Sequence, residues 1–168
     1  MVLRIVGFTL GAMLFACVVA RAPAQTLYGI ASSGELLEID ETSGAATVIG
    51  DTGLLRPGGL TYDADTGVMY ALDSGVGQIF IIDPTGATAT SLPSPVSLSG
   101  LESLAYRAAD GFLYTVSMGP LPVPELYKID PATGAPTAAV GTVGSGAITG
   151  LAARPSDDAL FAAGDDSV

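Results

Sequence analysis

Histidine and tryptophan are both absent from this chain of 168 residues, and its one cysteine, Cys17, lies near the amino terminus. Without histidine, Ser-His-Asp and Cys-His catalysis, His-ligated zinc and c-type haem attachment are excluded. No Gly-rich loop precedes a helical segment, so the usual nucleotide-binding motifs are also unsupported. Carboxylates therefore remain as the main candidates for any chemistry or metal binding.

Basic residues are scarce, at six against 17 acidic ones. Two of the six, Arg4 and Arg21, lie in the first 24 residues, which leaves a net charge of −13 on the remainder. Binding to nucleic acid or to an anionic membrane needs clustered Lys and Arg, so both are disfavoured as partners. High acidity also keeps a protein soluble, and we prefer that interpretation.

Residues 1–24 are predicted to be a secretory signal peptide, and residues 25–168 the mature domain. Arg4 precedes an uncharged apolar stretch from Ile5 to Ala20, and Ala22 and Ala24 are the small residues that a signal peptidase accepts. The apolar stretch is shorter than the ~20 residues of a membrane span, which disfavours a retained anchor. We therefore expect an exported protein, periplasmic or extracellular, with no transmembrane anchor after processing.

A lipoprotein is the minor alternative for localisation. Leu14-Phe15-Ala16-Cys17 resembles a bacterial lipobox, with Cys17 as the lipidated residue, although Phe15 fits that pattern poorly. Either way the mature chain has no disulfide, because it keeps no cysteine pair.

A repeat of about 44 residues runs through the mature chain. Leu60, Leu104 and Leu151 begin equivalent Leu-x-Tyr or Leu-x-Ala segments and are 44 and 47 residues apart. Two further segments recur at similar intervals: a Leu-Tyr-like pair at 27, 69, 113 and 160, and an Ile-Asp pair at 39, 82 and 129. A constant interval with one variable loop is typical of stacked structural units.

Each unit is predicted to contain four short antiparallel strands separated by turns. The turns carry Asp, Pro, Thr and Gly, as in Asp63–Gly67, Asp83–Gly86 and Asp130–Gly134, which is the chemistry of tight turns. Apolar residues alternate or run for four to six positions between turns, without a helical period. Sheets of four short strands at this period predict an all-β fold of β-propeller-like blades.

The motif Leu-Tyr-x-Ile-Asp-Pro-x-Thr-Gly at Leu126–Gly134, followed by a Gly-Leu-Ala-Tyr type of strand, resembles exported bacterial β-propeller repeat proteins. The resemblance covers about residues 27–164 and implies the fold, whereas many proteins of that kind have no assigned activity. The Trp-Asp signature of WD40 blades is absent.

Thirteen strands are expected, divided as three, four, four and two, which makes about three blades. Propellers usually close with four to eight, and an open ring leaves strand edges free to pair. Three accounts stay open: the chain is part of a longer protein, it self-associates with a second copy to complete the ring, or it folds alone as an open or unusually small array.

Asp63-x-Asp65-x-Gly67 resembles part of a calcium loop, but it lacks the further ligands of an EF-hand. The equivalent segments begin with Arg107 and Arg154 in place of Asp63. Because an arginine cannot be a metal ligand, we interpret these segments as turns.

Glu102 is the candidate metal ligand. In a propeller the residues before each first strand lie at the mouth of the central channel, a ring that would here contain Arg56, Glu102 and Thr149. The segment Leu101–Tyr106 is similar to Glu-Gly-Leu-Ala-Tyr segments of propeller lactonases and phytase-like esterases, and that resemblance implies calcium at the glutamate. A single carboxylate makes neither a metal site nor an acid/base pair, so no catalytic residue and no cofactor is assigned, with calcium kept as the alternative.

A proline-rich loop, Met118–Pro124, is expected to project from the same face. Leu121 and Val123 stand between its prolines and are candidates for contacting a partner, the alternative being a stiff, tolerated insertion. Tyr28, Tyr70 and Tyr114 are expected to pack between blades.

The sequence therefore favours an exported, non-catalytic β-propeller module for binding or scaffolding, with an unknown ligand or protein partner. The alternative is a fragment of a calcium-assisted propeller hydrolase of the lactonase or phytase-like esterase class.

Overall fold

The computed structural model describes residues 26–119, 123–144 and 146–165. The predicted signal peptide, the lipobox alternative at Cys17 and the candidate contact residue Leu121 lie outside those ranges. Within them all regular structure is strand, and no helix suitable for crossing a bilayer is present.

The strands form four antiparallel sheets, each with its strands in sequence order. The first sheet contains β1 (Leu27–Ile30), β2 (Glu35–Ile39) and β3 (Ala46–Asp51). The second contains β4 (Pro57–Asp63), β5 (Val68–Asp73), β6 (Gln78–Asp83) and β7 (Thr88–Ser91). The third contains β8 (Ala105–Arg107), β9 (Phe112–Ser117), β10 (Glu125–Ile129) and β11 (Pro136–Thr142), and the fourth contains β12 (Ala147–Ala153) and β13 (Leu160–Asp165). The predicted division into three, four, four and two strands is confirmed.

The turns within the sheets have local causes. In the β4–β5 turn the Asp63 carboxylate accepts hydrogen bonds from the backbone amides of Asp65, at 3.0 Å, and Thr66, at 3.3 Å. Gly67 closes this turn at a φ of 75°, a left-handed conformation that glycine adopts without strain. Asp130 in the β10–β11 turn accepts in the same way from the amide of Ala132, at 2.9 Å.

Two apolar cores lie between neighbouring sheets. The larger joins the second sheet to the third and contains fully buried Leu72, Ile79 and Leu113. The other joins the first sheet to the second around Leu36 and Ile82. Both faces of β5 are covered, because its successive residues point alternately into the two cores, and burying one such leucine contributes about 1.5–3 kcal/mol.

The prediction that the tyrosines pack between blades is confirmed for Tyr28 and Tyr70, whereas the hydrogen-bond partners of Tyr114 lie in its own sheet. Tyr70 and Tyr114 are buried, and Tyr28 is half-buried against the core between the first two sheets. Tyr70 stacks on Tyr106 of the next sheet, with ring centroids 6.5 Å apart, so these rings pack between sheets.

Candidate functional site

The first strands of the second, third and fourth sheets lie side by side around a common axis. The amide of Tyr106 in β8 donates a hydrogen bond of 2.9 Å to the side-chain oxygen of Thr61 in β4. A Cβ placed on Gly59 of β4 would lie 2.6 Å from the backbone nitrogen of Leu104, so the two segments are in close contact. The side on which β4, β8 and β12 begin is called here the entrance face, and the loops before β4, β6, β8 and β10 form it.

Buried polar groups hold the entrance loops in place. The carboxylate of Asp73, which is 2% exposed, accepts hydrogen bonds from the amides of Leu55 at 2.8 Å and Gly75 at 2.9 Å. Ser117 occupies the equivalent position 44 residues later and donates through its hydroxyl to the carbonyl of Ser99, at 2.7 Å. Two different side chains thus tie the loops before β4 and β8 to the adjacent hairpins.

The structure brings together two of the three predicted channel-mouth residues. A guanidinium nitrogen of Arg56 lies 3.6 Å from a carboxylate oxygen of Glu102, and the two side chains are 70% and 47% exposed. A pair this exposed contributes little to stability. Thr149 is exposed inside β12, at a bulge between Ile148 and Gly150, and so does not precede its strand as Glu102 does.

Three apolar side chains stand exposed on the entrance loops. Leu55 is 79% exposed beside Arg56, Val76 is 56% exposed between β5 and β6, and Val123 is 37% exposed just before β10. Val123 had been singled out from the sequence, whereas Leu55 and Val76 had not. Leu55 and Val76 could have been identified in the sequence as apolar residues in otherwise polar or glycine-rich loops, at positions where the repeat has no core residue.

The Asp63 carboxylate of the Asp63–Gly67 turn is engaged with the turn itself. Burial opposes ionisation of Asp63, but hydrogen bonds from the Thr66 hydroxyl and from the amides of Asp65 and Thr66 lower its pKa overall. Arg154 begins the equivalent turn of the fourth sheet and pairs there with Asp157. Across the residues that the structure describes, no group of three carboxylates is placed to hold a metal ion.

A charged cluster that sequence analysis did not identify lies on the third sheet. Asp110 is 2.9 Å from the ammonium of Lys128, accepts a hydrogen bond of 2.7 Å from the Tyr114 hydroxyl, and lies 3.7 Å from Arg107. Burial opposes ionisation of Asp110, but these hydrogen bonds and positive charges lower its pKa overall. The same environment raises the pKa of Tyr114, through burial and its hydrogen bond to Asp110. Asp110 lies in the β8–β9 turn and Lys128 in β10, and a pairing of residues 18 positions apart leaves no local signal in the sequence.

A recess lies around the axis at the other ends of the first strands. One part, of about 390 Å³, is open to solvent and lined by β4, β8, β12 and the turns that follow them. A neighbouring open part, of about 690 Å³, is lined by β1 and β4, together with Met69 and Pro155. Tyr62, which is 53% exposed, lines both parts. The recess is mostly apolar and is separate from the Arg56–Glu102 pair.

Comparisons with known proteins identify the fold but no family. No protein-family model matches the chain, and no curated protein matches it. Solved structures do match: a chain of the nidogen/laminin complex has 16% identity and a TM-score of 0.65 over 83% of this chain and 52% of that one. Hydrazine synthase of Kuenenia stuttgartiensis has 17% identity and a TM-score of 0.57 over 84% of this chain and 42% of that one. A structural genomics protein of unknown function from Bacteroides thetaiotaomicron has 20% identity and a TM-score of 0.61 over 83% of this chain and 40% of that one.

These likenesses and the four antiparallel sheets around an axis define the class of protein: the chain folds as blades of a β-propeller. It spans about half the length, or less, of the solved chains that it matches. At these identities the likeness concerns the fold alone, and the specific repeat type stays a prediction.

Proposed function

We propose that this chain is an exported, non-catalytic β-propeller module whose entrance face binds a partner protein. Export is supported by the pattern of the first 24 residues. The observation that carries the binding role is the exposure of Leu55 and Val76 on loops that the buried Asp73 carboxylate holds in place, with Val123 exposed on the same face just before β10.

Exposed apolar side chains on restrained loops favour association, because little conformational entropy is lost when such loops are covered. The Arg56–Glu102 pair beside them provides one charge of each sign at the edge of the apolar residues. A mixture of apolar residues with polar or charged groups at the rim is usual for protein–protein interfaces. The arrangement therefore supports a protein partner rather than a polyanion.

The test compares the envelope proteins that are captured by the exported chain with those captured by variants in which one exposed apolar residue is changed, either on the entrance face or away from it. Leu55→Asp and Val76→Asp place charge on the entrance face, whereas Val48→Asp changes a residue of β3 that is 54% exposed on an outer strand. Crosslinking in the producing cell, followed by quantitative mass spectrometry, measures each captured protein. We expect a specific protein to be lost from both entrance variants and kept by Val48→Asp.

Equal capture by all three variants would contradict the proposed face. Turnover of a lactone, phosphoester or glycoside that disappears in Glu102→Ala would contradict the non-catalytic role and support the calcium-assisted hydrolase instead.

A further inference from the structure

Negative charge dominates the entrance face around its exposed apolar residues. Exposed or half-buried carboxylates lie on the entrance loops or at the strand ends beside them: Glu35, Asp51, Glu102, Glu125 and Asp165. Arg56 is the one basic residue in the described part of this face. The other basic residues of the described chain pair with turn carboxylates at the opposite end of the sheets. The apolar residues of the entrance face therefore lie among carboxylates that, within the described chain, only Arg56 is near enough to neutralise.

Two of these carboxylates are adjacent on neighbouring strands. Glu35 lies directly opposite Asp51 in the β2–β3 ladder, an arrangement of like charges that is destabilising. Each accepts a hydrogen bond from its own loop, and no basic side chain of the described chain forms a salt bridge with either. A Cβ placed on Gly34 would lie 2.7 Å from the carbonyl oxygen of Leu54 and 3.4 Å from a carboxylate oxygen of Asp51. The two like charges therefore lie against the loop that carries Leu55, where an added cation would be stabilised.

The Arg56–Glu102 pair neutralises this charge only in part, and a partner can replace it. Its closest nitrogen–oxygen distance is 3.6 Å, and the side chains are 70% and 47% exposed, so water competes for both groups. An exposed pair of this kind contributes little free energy. A cation of a bound partner can therefore take the place of Arg56 beside Glu102 at little cost. A partner carboxylate, in contrast, would meet several like charges for each contact with Arg56.

We propose that the partner protein contacts the entrance face through a basic segment, in which Lys or Arg residues flank apolar ones. This chemistry of the partner rests on the proposed function, because it presupposes that the entrance face is the binding surface. The apolar side chains of the segment cover Leu55 and Val76, while its cations lie beside Glu102 and the Glu35–Asp51 pair. Complementary charge at the rim of an apolar interface mainly increases the association rate and selects the partner.

The experiment follows capture in the producing cell, with a photoreactive residue in place of Val123 so that a protein on the entrance face is joined to it. Mass spectrometry measures the amount of the captured protein and identifies its crosslinked peptide. Arg56→Gln and Glu102→Gln break the same ion pair, so any effect of losing the pair is common to both. We expect Arg56→Gln to raise capture and Glu102→Gln to lower it, each about two- to fivefold, the range for one exposed charge pair. The crosslinked peptide should contain more Lys and Arg than Asp and Glu.

Glu41→Gln is the matched control, because Glu41 is an exposed carboxylate of the β2–β3 turn at the opposite end of the sheets. This variant should leave capture unchanged. Equal capture by Arg56→Gln and Glu102→Gln would overturn the basic segment, and so would a crosslinked peptide that is neutral or acidic. A loss in Glu41→Gln as large as that in Glu102→Gln would overturn it as well, because the attraction would then come from the charge of the whole chain.

Leu55→Asp in the same background separates the basic segment from the proposed function. If Leu55→Asp loses the captured protein while the two glutamine variants keep it equally, the entrance face still binds a partner and only the basic segment is refuted. If Leu55→Asp captures as much protein as the parent, the proposed function itself fails. A crosslinked peptide from a second copy of this chain would overturn a separate, basic partner.

Discussion

Because the second and third sheets are in close contact, Gly59→Ala is expected to destabilise the fold. Alanine at the equivalent position of the repeat, Gly150, is expected to be tolerated. A Cβ on Gly59 would meet the backbone nitrogen of Leu104 at 2.6 Å and its Cβ at 2.9 Å. Backbone atoms cannot rotate away as a flexible side chain can, so Gly59→Ala has to push β4 and β8 apart. Gly150 occupies the same place in the repeat, but there the nearest atom to an added Cβ is the Ala163 Cβ, at an ordinary contact distance of 3.6 Å.

The expected magnitudes have opposite signs. Overpacking of this kind costs about 1–3 kcal/mol, which for a domain of this size lowers Tm by about 4–12 °C. Gly150→Ala adds a methyl group without a clash and reduces the freedom of the unfolded chain, so it stabilises by about 0.4–1 kcal/mol. The glycine positions have no positive φ, so the difference between them reports packing alone.

Thermal unfolding followed by far-ultraviolet circular dichroism measures both variants, and urea unfolding checks that the slope m stays unchanged. A Gly59→Ala variant as stable as the parent would refute the inferred contact between the two sheets. A loss of stability in Gly150→Ala equal to that in Gly59→Ala would show that the fourth sheet packs against a further element.

Three more predictions concern the carboxylates. The pKa of Asp63 is lowered in the folded chain, so its contribution to stability is complete above the unfolded pKa of about 3.9 and is lost as the pH falls through the lower folded pKa. Asp63→Asn should therefore flatten the decline of Tm below about pH 4, and an unchanged decline would contradict this. Asp110→Asn should cost about 1–3 kcal/mol in urea unfolding because it weakens the hydrogen-bonded pair with Lys128. Asp157→Asn, in an exposed pair, should cost clearly less than Asp110→Asn. Calcium and EDTA should leave Tm unchanged, since Asp63 is engaged by its own turn, and a rise with calcium that Glu102→Gln removes would instead support the hydrolase alternative.

The repeat and the turn residues were sufficient to predict the strands, because both act over short distances along the chain. Asp63 accepting from the amides that follow it, and glycine at the left-handed position of the turn, need no tertiary contact to direct the backbone. Alternation of apolar residues between such turns then assigns strands and the two faces of each strand. The division into three, four, four and two strands, and the packing of Tyr28 and Tyr70 between sheets, could therefore be predicted.

The sites were less accessible from the sequence, because they arise where separate sheets meet. The channel mouth was predicted from repeat position, but the pairing of Arg56 with Glu102, and the placement of Thr149 inside its strand, depend on where each strand begins. The Asp110–Lys128 pair joins the β8–β9 turn to β10, and a loop of variable length separates the two in the chain. The recess beside β1 depends on the distance between two sheets, which no periodicity encodes.

The sequence by itself determined the strands, the turns and the excluded chemistries, since each follows from local backbone preferences or from residue types that are absent. Only the tertiary structure decided how closely β4 approaches β8, which loops share the entrance face, and that β1 and β4 line a mostly apolar recess. Those features depend on side-chain volumes meeting across sheets, and such contacts join residues far apart in the chain.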